Sequence, residues 1–121
     1  MVEKERIFKD WEETYKKGQL TFWILLSIRD ESRYTSEIKE NIKALTKNRI
    51  TCEDQSLYRA LRRHHKNGLI DFELKEGNKG PDRKYYSLTD MGREILSEFT
   101  HKYIRIFYNK DLAKLLFSKS E

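Results

Sequence analysis

The sequence predicts a mainly α-helical fold with one small β-hairpin (α+β class), arranged as a winged helix-turn-helix with additional helices at both ends. Apolar residues recur every three or four positions along most of the 121 residues. The interval changes to two at Ile70, Phe72 and Leu74 and again within 85–88. Residues 77–82, rich in Gly, Asn and Pro, separate these two alternating runs and indicate the turn of a hairpin.

The first half of the chain predicts three helices. Glu3–Lys17 has an amphipathic pattern, and Gln19–Arg29 is apolar on nearly every side, which is typical of a buried helix. Ile38–Thr46 follows with an apolar stripe at helical spacing. We expect Thr35 or Ser36 to cap this third helix, because both residue types accept hydrogen bonds from the N–H groups at a helix start.

The second half predicts a fourth helix, the hairpin and a last helix. Thr51–Asp54 matches a capping box, and the helix that follows ends at Asn67-Gly68. The hairpin spans Leu69–Leu88, and Thr89-Asp90 is expected to cap a last long helix that Asn109 breaks before a short tail. Compact helices followed by a two-stranded hairpin match the winged helix-turn-helix plan.

The fourth helix, Glu53–Asn67, is expected to have two different faces. One arc of its helical wheel predicts the core side: Leu57, Ala60, Leu61 and His64. The opposite side has one amide and four cations with no acid among them: Gln55, Arg59, Arg62, Arg63 and Lys66. Arg can bind guanine edges, Gln can bind adenine, and both Lys and Arg neutralise phosphates. In a helix-turn-helix this face predicts binding to the major groove of double-stranded DNA, whereas on an arbitrary helix it would only be solvated.

The hairpin is the second candidate DNA-binding element. Its tip and second strand carry Lys79, Arg83 and Lys84. A wing places such cations at the DNA backbone or an adjacent minor groove. The same residues would also serve simply to keep a loop tip soluble.

His64 lies on the predicted core side of the fourth helix. Burial disfavours the charged imidazolium, so we expect a lowered pKa and a protein that loses stability as the pH falls. His64 and His65 are not expected to bind a metal together, because adjacent residues on a helix point about 100° apart.

Composition excludes several classes of protein. The single cysteine, Cys52, rules out an intramolecular disulfide framework and a zinc ribbon. The net charge of +5 is compatible with a nucleic-acid partner. No apolar run approaches the length of a membrane span, which predicts a soluble, cytoplasmic protein. No nucleophile, paired-carboxylate or Gly-rich phosphate motif stands out, so we predict no enzyme, no cofactor and no metal.

Four segments share a pattern with a known family: Tyr34–Ile38, Leu57–Leu61, Asn67–Ile70 and, most specifically, Gly80–Gly92. They resemble the PadR family of winged-helix transcriptional regulators. The resemblance covers about 18–96. It implies a homodimer that binds operator DNA, usually as a repressor, and that uses its terminal helices for dimerisation. It also implies that Tyr58 lies beside the DNA and that Lys84 and Tyr85 lie on the second strand of the wing.

The chain departs from the family pattern at three places on the fourth helix. Gln55-Ser56 stands where the family often has Gly-Thr, and Arg59 stands where it often has Pro. These changes add hydrogen-bonding groups and charge to the predicted DNA face, so they bear on which operator is bound. His64 stands where the family usually has Leu, which bears on local packing.

The terminal helices carry apolar residues that cannot all pack on one small winged core. They form two stripes: Ile7, Phe8, Trp11 and Tyr15, and Ile95, Phe99, Tyr103 and Ile106. These stripes predict a two-fold dimer and, with it, a palindromic operator. We therefore divide the chain into a dimerisation helix at 1–17, a DNA-binding domain at 18–89 and a C-terminal dimerisation helix with its tail at 90–121.

Two other hypotheses stay open. The first is a winged helix that contacts protein or RNA and binds no operator; its fourth helix should then expose apolar residues. The second is a sensor whose DNA binding is controlled by a small aromatic effector near Trp11, Tyr15, Phe22 and Trp23. For these four residues a place in the core is the simpler interpretation.

Overall fold

The computed structural model describes residues 2–77 and 79–118, and within them it confirms the predicted fold class. The regular elements are α1 (Val2–Lys17), α2 (Leu20–Ser27), α3 (Thr35–Leu45), α4 (Asp54–Lys66), β1 (Ile70–Lys75), β2 (Arg83–Leu88), α5 (Asp90–Phe99) and α6 (Lys110–Leu116). β1 and β2 form an antiparallel hairpin. None of the helices in the described stretches is both long and apolar enough to span a bilayer.

The core lies where α2, α3, α4 and the hairpin meet. Its fully buried side chains come from each of these elements: Ile24, Ile28, Ile38, Ile42, Leu57, Leu61 and Ile70. The four residues predicted for the core side of α4 are all buried, including His64. Leu96 of α5 joins the same cluster, so the last long helix begins as part of the winged core.

The hairpin is tied to the helical core along its second strand. Ile70 pairs with Leu88 and Phe72 with Tyr86, which places the larger apolar side chains on one face. Arg33 forms two backbone hydrogen bonds with Tyr86, of 3.1 and 2.9 Å. This isolated β-bridge covers part of the outer edge of β2 and links the wing to the segment before α3.

Two of the predicted helix caps are wrong. α3 begins at Thr35, so Tyr34 is its N-cap, and the Glu37 carboxylate accepts a hydrogen bond from the Tyr34 N–H at 3.2 Å. The capping box predicted at Thr51 does not form, because α4 begins two residues later than that motif requires, with Glu53 as an N-cap that makes no side-chain cap hydrogen bond. The cap at Thr89 is confirmed: its hydroxyl oxygen accepts a hydrogen bond from the Gly92 N–H at 3.0 Å.

The last long helix is not uniformly α-helical. After α5 the chain forms a π-helical turn at Thr100–Ile104 and then a 3-10 turn at Arg105–Tyr108. The Thr100 hydroxyl donates to the Leu96 carbonyl at 2.8 Å, which adds a second donor to a carbonyl of the α-helical ladder. Asn109 caps α6 with its side chain, which confirms the predicted break.

The terminal helices keep their apolar stripes exposed. α1 buries none of its residues. All eight residues of the two stripes are exposed in the single chain. Phe22 and Trp23 pack partly buried against the core, as the simpler interpretation has it, but Trp11 and Tyr15 do not. The reason is that α1 packs none of its residues into the core.

Candidate nucleic-acid interface

The exposed face of α4 is a line of polar and cationic side chains. Gln55, Arg59, Arg62 and Lys66 follow one another at i, i+4, i+7 and i+11, and each is exposed. Within the described residues none of the three cations forms an ion pair or a hydrogen bond through its side chain. Their charge is therefore not neutralised by neighbouring acids and is available to an anionic partner.

The wing extends this line into a cleft. A space of about 390 Å³ opens between the start of α3, the middle of α4 and the second strand of the hairpin. It is lined by Tyr34, Thr35, Tyr58, Arg62, Asp82, Arg83, Lys84 and Tyr86. Three cations and one acid line the cleft, so its electrostatic potential favours an anion such as a phosphate.

Aromatic rings contact the two wing cations that line the cleft. The Arg83 guanidinium lies 4.4 Å from the centroid of the Tyr34 ring, and Lys84 Nζ lies 4.6 Å from that of Phe72. Tyr85 packs edge-on against Tyr34 at 5.3 Å. Such cation–π contacts reduce the freedom of long side chains while leaving their charge intact.

Tyr86 forms the floor of this cleft. Burial raises the pKa of its phenol, Tyr58 adds to the shift, and the positive charge of Arg62 opposes it. Tyr86 is therefore a neutral, packed residue, whereas Tyr58 is 45% exposed and presents its ring to the solvent side of the cleft.

The structure brings some of the predicted site residues together and separates others. Tyr58, Arg62, Arg83 and Lys84 share the cleft, and the remaining residues of the α4 line lie outside it on the same face of the helix as Arg62. Ser56 instead lines a different cleft with Lys16 and Lys17 of α1. Arg63 follows Ser56 by seven positions and so lies on the same side of α4, and Lys79 is exposed at the hairpin turn outside the cleft.

Two residues at this site were missed by the sequence analysis as contact candidates. Tyr34 and Thr35 line the cleft because α3 starts beside β2. Their proximity to the wing depends on the backbone bridge between Arg33 and Tyr86, which joins segments about fifty positions apart and leaves no local sequence signal.

A solvent-exposed ion pair links α3 to the first turn of α4. Lys39 Nζ lies 2.6 Å from Asp54 Oδ1. The hydrogen bond to Asp54 is the main cause of a raised pKa at Lys39. The contact joins the two helices of the helix-turn-helix at the N-terminal end of α4, just before its cationic line.

His64 anchors the opposite side of α4 in the core. Its Nε2 lies 3.3 Å from the Thr21 hydroxyl of α2, and its Nδ1 has no hydrogen-bond partner in the described part of the chain. Burial is the larger cause, and the charge of Arg63 the smaller one, of a lowered His64 pKa. The predicted direction of this shift is confirmed.

Residues 24–98 match the model of the Transcriptional regulator PadR-like family. The chain belongs to this family. The matched region begins within α2 and ends within α5, and it contains α3, α4, the whole hairpin and so every residue of the α4 line and the wing cleft. The family resemblance noted from the sequence is confirmed.

Solved PadR-like structures have the same architecture. A PadR-like regulator from Bacillus cereus is 32% identical, covers 85% of this chain and 96% of its own, and superposes with a TM-score of 0.69. One from Eggerthella lenta is 25% identical, with a TM-score of 0.75, over 98% of this chain and 100% of its own. Bacillus subtilis PadR in complex with operator DNA shares the fold at 21% identity and a TM-score of 0.64, over 69% of this chain and 49% of its own.

Proposed function

We propose that this PadR-like regulator is a homodimer that binds a palindromic operator in double-stranded DNA and represses transcription. The observation that carries the proposal is the unpaired cationic line of α4 continuing into the wing cleft. In this arrangement α4 enters the major groove, where Gln55, Arg59 and Arg62 reach base edges. The wing then contacts the sugar-phosphate backbone of the DNA.

The cleft between α4 and the wing supports phosphate contacts. Arg83 and Lys84 are held on aromatic rings, and Tyr58 is exposed beside Arg62. Phosphate contacts fix the register of a protein on the duplex and carry no base information. Membership of the PadR-like family and the operator complex of the Bacillus subtilis protein also support DNA binding.

The exposed stripes of the terminal helices support the dimer. Aromatic and aliphatic side chains on α1 and on the last helix are unburied in one chain, and an isologous two-fold contact would cover both sets. Two copies would then present two α4 helices to two half-sites of a palindrome.

The test of this proposal is selection of bound duplexes from a random DNA pool. We expect an enriched palindrome whose half-sites are about one helical turn apart, bound with an affinity that falls steeply with salt. Selection of no sequence at all, with binding equal to that of random DNA, would refute operator recognition. A single asymmetric motif would refute the two-fold arrangement.

The structure disfavours the protein-docking alternative. On the solvent side of α4 Tyr58 is the one large apolar side chain within the described residues, and the rest of that face is charged or polar. A protein-binding helix would be expected to expose several such side chains in a row.

A small aromatic effector is a second candidate partner. A shallow cleft of about 260 Å³ on α1 is lined by Phe8, Trp11, Glu12 and Tyr15. Phe8, Trp11 and Tyr15 belong to the stripe proposed for dimerisation, so an effector bound there would compete with the two-fold contact. Flat aromatic molecules stack on such rings. Quenching of tryptophan fluorescence by an aromatic compound, lost in Trp11→Ala, would support it; unchanged quenching in that variant would place the ligand elsewhere.

A further inference from the structure

A second cationic cleft lies between the end of α2 and the last long helix, apart from the α4 line. It has a volume of about 500 Å³ and is lined by Leu26, Arg29, Arg93, Leu96, Ser97, Thr100 and His101. No acidic residue is among the described residues that line it. Leu26 and Leu96 provide an apolar floor, and the polar side chains surround it.

The donors of this cleft are largely uncommitted. Within residues 2–77 and 79–118 neither the Arg93 guanidinium nor the Ser97 hydroxyl has a hydrogen-bond or ion-pair partner. Arg29 uses one nitrogen for the neighbouring Asp30, at 2.9 and 3.0 Å, which leaves its other N–H groups for a ligand. Thr100 differs, because its hydroxyl proton is committed to the Leu96 carbonyl.

His101 adds a donor whose position is fixed by its neighbour. Its Nδ1 lies 3.1 Å from Arg105 Nη1. A guanidinium can only donate, so Nδ1 must be the acceptor and the ring proton must be on Nε2. The contact is made within the π-helical turn and the 3-10 turn that follows it, and such π-helical turns are frequent at functional sites.

The cleft and the stripe proposed for dimerisation lie on different sides of α5. Arg93 and Ser97 are one turn apart on α5, whereas Ile95 and Phe99 form the exposed stripe on another side of that helix. Phe99 packs against Phe22 of α2 at 5.7 Å, beside a separate apolar cleft. A partner chain on the stripe therefore need not cover the cationic cleft.

We propose that this cleft is a binding site for a small phosphomonoester. Two arginines, a serine and a histidine line it, and together their donors match the three terminal oxygens and two negative charges of a phosphate better than the two oxygens of a carboxylate. The apolar floor suits the organic part of the ligand. The site lies apart from the α4 line and the wing cleft, and its ligand would contact both the end of α2 and the last long helix.

The test uses phenyl phosphate as the probe, benzoate as the matched carboxylate and the full chain without DNA. Titration calorimetry is expected to show one site per chain for phenyl phosphate and at least about tenfold weaker binding of benzoate, because charge-assisted hydrogen bonds are lost. Arg93→Gln and Ser97→Ala should each weaken phenyl phosphate binding, the first by about tenfold or more. Lys102→Gln removes one charge from the same helix outside the cleft and should leave binding unchanged.

Imidazole NMR signals locate the bound probe, since the chain has three histidines. The His101 signal should shift in a saturable way, while those of His64 and His65 stay in place. Shifts at His65 alone would mean that phosphate binds near α4 and the wing and would overturn the proposal. Binding that is equal for benzoate, absent, or unchanged in Arg93→Gln would overturn it as well.

Discussion

At the scale of single residues, the burial of His64 makes the stability of the protein depend on pH. Its folded-state pKa is lowered, so the unfolded chain binds more protons as the pH falls. Stability from this residue is therefore full above the unfolded pKa of about 6.5 and declines as the pH drops through and below it. We expect His64→Leu to flatten the dependence of the melting temperature on pH between about 7 and about 5.

The same substitution should be tolerated at neutral pH. Leu removes a buried Nδ1 that has no partner, and we expect the free energy of unfolding to stay equal or rise by up to about 1 kcal/mol. His65→Gln, at the exposed neighbouring position, is the matched control and should keep the wild-type slope. An equal slope in wild type and His64→Leu would show that this imidazole does not set the acid sensitivity.

Substitution of two cations of the candidate interface should affect DNA binding in different ways. Arg59 lies on the α4 line, and Arg59→Ala is expected to weaken binding to the selected operator by about 1–3 kcal/mol and to relax specificity at one base pair. Lys84 is held at the wing, and Lys84→Ala should weaken all sequences alike and reduce the salt slope by about one. Filter binding to operator and random duplexes over a salt series separates the two. Operator affinity unaffected by Arg59→Ala would remove α4 from recognition.

At the scale of elements, the start of α5 is locked to the base of the wing at Gly92. A Cβ there would collide with the backbone carbonyl of Leu69, while the Thr89 hydroxyl donates to the Gly68 carbonyl at 2.6 Å in the same junction. Gly92→Ala must displace backbone, so we expect it to lower the free energy of unfolding by about 1–3 kcal/mol or more in urea titrations. Gly80→Ala, which meets open space in the hairpin turn, is the control and should be nearly neutral.

The periodicity of apolar residues predicted the helices and strands well, because the residues on a buried face recur with the period of a helix or a strand. It placed Leu57, Ala60 and Leu61 inside and the α4 cations outside, as the structure shows. It failed at features that the periodicity of burial does not encode: the caps at Tyr34 and Glu53, and the π-helical turn that begins at Thr100. The cleft between Arg29 and Arg93 was missed for the same reason, since it exists only once α2 and α5 meet.

At the scale of the whole molecule, the exposed stripes of the terminal helices are the surface through which we propose that two chains dimerise. Trp11 is 73% exposed on a helix that buries none of its own residues. A charge at this place would oppose the removal of the stripe from water. We expect wild type to sediment as a dimer at micromolar concentration, and Trp11→Glu to raise the dimer dissociation constant by about thirtyfold or more, as loss of an interface hot spot does.

The matched control for Trp11→Glu is Leu74→Glu, which places the same charge at an exposed apolar residue on the wing. That variant should remain a dimer, because the wing takes no part in the proposed two-fold contact.

Loss of the dimer should also weaken DNA binding. Trp11→Glu is expected to lose far more affinity for the full palindrome than for an isolated half-site, since only a dimer holds two α4 helices at a fixed spacing. A wild-type chain that sediments as a monomer, or equal losses on both duplexes, would contradict assembly through the terminal helices.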